Sequence, residues 1–108
     1  MAEVIWTESA LKDIEEIALF ISNDSYQYAR LQVHQFFLKA QLLETHPLAG
    51  RMVPELNQYM IRQLLCGNYR IIYELEENEK VAILTIHHQS RLLKNNKRIQ
   101  KAGGKRKK

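Results

Sequence analysis

Three stretches in the second half of the chain, residues 59–65, 69–75 (YRIIYEL) and 80–88 (KVAILTIHH), are rich in β-branched and aromatic residues and follow one another almost without pause. Only Cys66-Gly67-Asn68 separates the first two, and only Glu76-Glu77-Asn78-Glu79 the last two. A parallel connection needs about a dozen residues or more, so strands spaced this tightly must form an antiparallel meander. Alternation in the middle strand puts Tyr69, Ile71, Tyr73 and Leu75 on one face and Arg70, Ile72 and Glu74 on the other. The same rule divides the last strand into Ala82, Leu84, Ile86 and His88 against Val81, Ile83, Thr85 and His87. In the first it sets Arg62 beside Met60 and Leu64.

Upstream, Glu3-Val4-Ile5-Trp6 is short and β-prone and reads as a first strand. Thr7 can cap a following helix, with Glu8 in its first turn where negative charge suits the helix dipole. Ala10, Ile14, Ile17, Ala18 and Ile21 form one apolar helical face. After the break at residues 22–25, Ala29, Val33, Phe36, Phe37, Ala40 and Leu43 repeat that spacing. Pro47 disfavours helix at His46, so the second helix should stop there. The short break makes the helices an antiparallel hairpin. Residues 48–51 read as a turn, and Pro54 keeps 52–58 irregular. The expected fold is α+β, in the order β-α-α-β-β-β, with a helical hairpin packed on one face of a curved antiparallel sheet. The other face is expected to stay partly open and to receive a partner.

A chain of 108 residues suits one domain. Its net charge of +4 hides a strong asymmetry. From Arg91 onward the chain carries nine of its sixteen Lys/Arg and no acid, whereas residues 1–90 set seven Lys/Arg against all twelve Asp/Glu, a balance of −5. Leu92, Leu93 and Ile99 could support a short helix, and Gly103-Gly104 would release a disordered end. The basic end, 94–108, reads as a tail for nucleic acid or another acidic partner through Lys101, Lys105, Arg106, Lys107 and Lys108, or else as a solubilising extension. Cys66 is the one cysteine, so no intrachain disulfide or thiolate cage forms, and its apolar neighbours suggest an inert thiol. No run reaches the roughly 18 apolar residues of a membrane span, and the N-terminus lacks the pattern of a secretory signal, so a cytoplasmic protein is expected.

Charge within so apolar a sheet needs a reason, because an unpaired buried guanidinium is too costly to keep. Arg62, Arg70, His88 and Arg91 either lie on a solvated face or line a site for an anion, and the second reading is preferred. Converging at the open face, they could run metal-free RNA cleavage. A base would take the ribose 2′-hydroxyl proton, arginines would stabilise the pentacoordinate phosphorus, and an acid would protonate the leaving oxygen. The second proton-transfer group is not evident, since His87 alternates away from His88 and Tyr73 away from Arg70. His34 and His46 receive no role, and the acids of residues 74–79 read as a solvated hairpin tip. No zinc spacing, glycine-rich phosphate loop or nucleophile elbow is present, so no metal or cofactor is expected.

Five segments in order carry a family resemblance. W-T-x-x-A-L-x-D-I-x-x-I-x-x-F-I at residues 6–21 is followed by H-P-L-A-G-R-M-V-P-E-L at 46–56 and R-Q-L at 62–64. Y-R-I-I-Y-E-L at 69–75 and I-L-T-I-H-H-Q-S-R at 83–91 complete the set. Over residues 3–93 the chain resembles the RelE/ParE superfamily, toxins of type II toxin–antitoxin modules. The resemblance implies the same fold, and a cognate antitoxin whose amphipathic segment wraps and blocks the toxin. RelE-like members cut messenger RNA in the ribosomal A site, and Arg62, Arg70, His88 and Arg91 would be the catalytic set in that case. Against this branch, nothing after Tyr73 is tyrosine, Met60 stands where a lysine is expected, and Arg62 replaces another. ParE-like members poison DNA gyrase without known hydrolysis, and the P-x-x-G-R-x-x-P-E-L segment and the final H-x-x-R favour that branch. Whether the chain is an enzyme is left open. Arg62, Arg70, Tyr73, His88 and Arg91 are then expected to meet target or antitoxin. A small nucleic-acid-binding domain without toxicity is the remaining alternative.

Overall fold

Thr7 joins the first strand to the first helix through one hydroxyl. Its Oγ1 donates to the carbonyl of Ile83 at 2.6 Å and accepts from the amide of Ala10 at 3.2 Å, so the helix cap is tied to the last strand. The structure, a computed structural model, describes residues 1–100. The elements are β1 (Glu3–Trp6), α1 (Glu8–Ser22), α2 (Tyr26–Gln41), β2 (Arg51–Met52), β3 (Ile61–Cys66), β4 (Tyr69–Glu76) and β5 (Lys80–His88). Ser25 caps α2 by accepting from the Tyr28 amide. Beyond Gln41 the chain tightens into a 3-10 turn, Leu42–Glu44, before Pro47.

The helical hairpin packs on one face of a five-stranded sheet of order β1-β5-β4-β3-β2. The meander β3-β4-β5 is antiparallel as its short turns require, but β1 runs parallel to β5, pairing Glu3 with Lys80 through Trp6 with Ile83, so the sheet is mixed. The hairpin and the chain after it supply the long crossover that a parallel pair needs. Residues expected to be irregular hold one more strand, β2, whose two residues pair with Gln63 and Arg62 at the sheet edge. The helix-side core gathers Ala10, Ile14, Phe36, Leu43, Ile71 and Tyr73, among others. Cys66 is buried there, and burial pushes its thiol pKa up, as befits an inert group. Phe37 is more exposed than its place in the pattern suggests, though its ring lies 4.7 Å from that of Trp6.

Two expectations about faces are corrected. Ile72 pairs with Thr85 and Tyr73 with Ile83, so Leu84 is an extra residue with no partner on β4. This bulge reverses the alternation of β5. Val81 and Ile83 face the helices before it, and Ile86 does so after it. His88 therefore lies opposite Tyr69 on the helix side, and His87 lies opposite Arg70 on the other. Nor is that other face left open. Val53, Ile61, Ile72, Leu93 and Ile99 form a second core there, with Leu56 and Leu84 against it. Its covers are the β2–β3 loop and the segment after β5, which makes a 3-10 turn at Leu93–Asn95 and is helical at 97–100. Apolar Ile61 and Ile72 would otherwise face water. The described part of the expected tail, residues 94–100, is thus packed onto the domain; residues 101–108 lie outside the described residues.

Ile99 is 2% exposed, and among the described residues it and Leu93 are what the segment after β5 contributes to this core. Ile99→Ala is expected to lower stability by about 2–4 kcal/mol, read as a shift in urea midpoint at unchanged slope.

Candidate functional site

The apolar pattern directs most side chains inward and leaves the cations at the sheet's margins, in three different settings. Arg62 lies on the helix side of β3, beside Tyr73 across the ladder. Its Nη1 donates to the Gly50 carbonyl at 3.0 Å and its Nε to that of Tyr59 at 3.2 Å, with the guanidinium 4.5 Å from the Tyr59 ring centre. Tyr73 is fully buried. Its hydroxyl donates to the Pro47 carbonyl at 2.8 Å and accepts from the Gly50 amide at 2.9 Å, while burial pushes the phenol's pKa up. A Cβ on Gly50 would sit 2.5 Å from the Gln63 carbonyl oxygen and 2.7 Å from the Tyr73 hydroxyl. The P-L-A-G-R run is therefore clamped to the sheet, and Tyr73, expected to meet a partner, belongs to the core.

Arg70 is on the opposite face. Both of its terminal nitrogens bind Glu55, at 2.9 and 2.7 Å, and Nη1 also reaches Gln63 Oε1 at 3.1 Å. The forked pair neutralises the guanidinium and pins the β2–β3 loop. Arg70 and Glu55 border a cleft of about 620 Å³ whose far side is formed by residues 89–94 together with Ile99 and Gln100.

His88 and Arg91 meet in another cleft, of about 750 Å³, between α1, the end of β5 and the segment after it. His88 Nδ1 accepts from the Ser90 amide at 3.1 Å, which leaves the neutral ring's proton on Nε2. The ring meets Tyr69 edge to face at 5.1 Å, and burial pushes the Tyr69 phenol's pKa up. Arg91 is exposed and also reaches the second cleft, so it stands on the ridge between the two. Phe20 and Leu92, 72% and 62% exposed, add apolar surface to this rim.

The four expected groups thus do not converge. His88 and Arg91 share one cleft, Arg70 and Arg91 border the other, and Arg62 borders neither. Alternation and the Leu84 bulge cause the separation. Lys101, Lys105, Arg106, Lys107 and Lys108 lie outside the described residues. Among the described residues, no group of three His, Cys, Asp or Glu could hold a metal ion.

The residue that organises the first cleft is Asp13, which was not anticipated. Its Oδ2 accepts from Thr85 Oγ1 at 2.5 Å and from the Ile86 amide at 3.1 Å, beyond the end of β1 where β5 loses its strand partner. Its Oδ1 pairs with Arg98 at 3.2 Å. Asn96 Nδ2 donates to Thr85 Oγ1 and to His87 Nδ1, and His87 Nε2 donates to the Arg91 carbonyl at 2.9 Å. Both nitrogens of buried His87 are thereby committed. The available signal was positional: Asp13 follows Ala10 by three residues and precedes Ile17 by four, inside the apolar stripe of α1.

The family model described as "ParE toxin of type II toxin-antitoxin system, parDE" matches residues 4–93. Among solved structures the chain is similar to one titled "Chromosomal ParDE TA system from P. aeruginosa", with a TM-score of 0.68 and 18% identity, over 82% of this chain and 96% of that one. At that identity the likeness concerns the fold alone. No match was found among curated proteins.

Tyr73→Phe would leave the Gly50 amide and the Pro47 carbonyl without their partner, and is expected to cost about 1–3 kcal/mol in chemical denaturation. The Arg70 hydrogen bond holds the Glu55 carboxyl below its ordinary pKa, against an opposing push from burial. A depressed carboxyl stabilises the fold above its unfolded value and loses that contribution as pH falls through the folded one. The stability gap between the native chain and Glu55→Gln should accordingly be wider at about pH 6 than at about pH 3, as read from denaturant midpoints.

Proposed function

The chain belongs to the ParE toxin family of type II toxin–antitoxin systems, and on that footing we propose that it restrains growth by binding and poisoning DNA gyrase in the cytoplasm, and that a cognate antitoxin neutralises it. The observation that carries a binding mode over messenger cleavage is the dispersal of the cationic groups. Metal-free RNA cleavage needs a base and an acid flanking one phosphate, with free cations around it. Arg70 is neutralised by Glu55, Arg62 is engaged by backbone carbonyls, and both nitrogens of His87 are bonded. His88 then has no second free imidazole beside it.

The rim of the first cleft has the composition of a protein-docking surface. Arg91 and His88 stand beside exposed Phe20 and Leu92, a guanidinium and an aromatic ring of the kind that anchors interfaces. Arg91 is the group assigned to the partner contact. Arg62, Arg70 and Tyr73 instead shape the loop at 47–59.

Expression without antitoxin should stop growth and accumulate cleaved gyrase–DNA complexes on plasmid DNA, with messenger RNA intact over the first minutes. Early cleavage of messages at codon boundaries would instead establish the RelE-like endoribonuclease, and unhindered growth would favour a non-toxic binding domain. Arg91→Ala should keep the fold and weaken gyrase inhibition about tenfold, the effect of losing about 1.4 kcal/mol at an interface.

A further inference from the structure

We propose that His87 is a positioning residue for docking: with Arg91 taken as the partner contact, the buried imidazole fixes the backbone from which that guanidinium is presented. The adjacent histidines of β5 clamp the turn at 89–91 from the two faces of the sheet. On the helix side, His88 Nδ1 accepts from the Ser90 amide at 3.1 Å and lies 2.7 Å from the Ser90 hydroxyl. On the other face, His87 Nε2 donates to the Arg91 carbonyl at 2.9 Å. Between them Gln89 is tied to the β3–β4 turn. Its amide donates to the Asn68 carbonyl at 2.8 Å, and its Nε2 to that of Gly67 at 2.9 Å. The Arg91 amide donates to the His88 carbonyl at 3.1 Å. Both backbone groups of Arg91 are thus bonded. Its side chain is exposed and makes no ion pair or hydrogen bond among the described residues.

The His87 ring is 6% exposed, and its Nδ1 accepts from Asn96 Nδ2 at 2.9 Å, which leaves Nε2 as the donor. Asn96 is fixed in its turn. Its Nδ2 also donates to Thr85 Oγ1 at 3.2 Å, and its Oδ1 accepts from the amides of Arg98 and Ile99 at 3.0 and 3.3 Å. Thr85 reaches back to Asp13 of α1. The ring's orientation, and with it the place of the Arg91 carbonyl, is therefore set by α1, β5 and the terminal segment together. Closure of the second core does not call for this bond. Leu93 and Ile99 supply the segment's apolar contacts there, and Arg91 is not a member of that core. A backbone already fixed has less conformational freedom to lose when its exposed arginine is captured, so the benefit falls on partner binding.

The test is a double-mutant cycle on inhibition of gyrase supercoiling, with the purified full chain, His87→Asn, Arg91→Ala and the double variant. An asparagine at this position can still accept from Asn96 but is too short to reach the Arg91 carbonyl. His87→Asn should weaken inhibition about fivefold in the native background and by less than about twofold in the Arg91→Ala background. His87→Gln, whose amide can donate from nearly the place of Nε2, should return inhibition to within about twofold of the native chain. Equal losses in the two backgrounds would make His87 a structural residue only, and no loss in either would equally overturn the assignment. Amide hydrogen exchange, with no gyrase present, is the second measurement. The Ser90 and Arg91 amides should exchange about tenfold faster in His87→Asn, beyond any acceleration shared with the β3–β4 ladder, and return toward the native rate in His87→Gln. Uniform acceleration would overturn the clamp. A native chain that leaves gyrase untouched removes the target, and the exchange rates then decide the clamp by themselves.

Discussion

Strand β4 is apolar on both faces, Ile71 and Tyr73 toward the helices and Ile72 toward the opposite side, and both must be covered for the sheet to exist in water. The helical hairpin covers one face. The other is closed by pieces with little regular structure of their own, Val53 and Leu56 from the β2–β3 loop and Leu93 and Ile99 from beyond β5. Most of the molecule's polar detail serves that second closure. Glu55 reaches Arg70 to hold the loop, and Asp13, Thr85, His87 and Asn96 form a bonded chain that holds the terminal segment. Each of these buried or half-buried groups finds a partner, which a low-dielectric setting demands.

The same requirement explains why motifs that look functional are partly structural. The glycine of the Gly-Arg pair, the arginine of β3 and the second tyrosine of β4 make one assembly: Gly50 is contacted by Tyr73 on its amide and by Arg62 on its carbonyl, with no room for a Cβ. Of the expected cations, Arg62 and Arg70 are consumed by the scaffold, whereas Arg91, on the ridge between the two clefts, is left exposed.

Legibility varied with the range of the interaction involved. Thr7 and Ser25 as caps, both helices and the three strands of the meander are local features and lie where expected, except that α2 ends at Gln41, short of His46, and the chain goes on as a 3-10 turn. The candidate site was harder, because its geometry turns on parity. A single unpaired residue, Leu84, moves His88 to the helix side and sets His87 against Arg70. Nothing in KVAILTIHH distinguishes a regular strand from a bulged one. The partner of Arg70 was equally hidden, since Glu55 lies fifteen residues away in a loop that reads as irregular.

Residue order alone determined the elements, the antiparallel meander, the helical hairpin and the concentration of positive charge at one end, because these follow from periodicity, turn length and composition within short windows. Only the folded molecule decided that β1 joins the sheet parallel to β5, that the far face is sealed by the terminal segment, and which cations remain free. Those outcomes depend on contacts between residues tens of positions apart, where burial and pairing of specific groups, rather than local preference, select one arrangement.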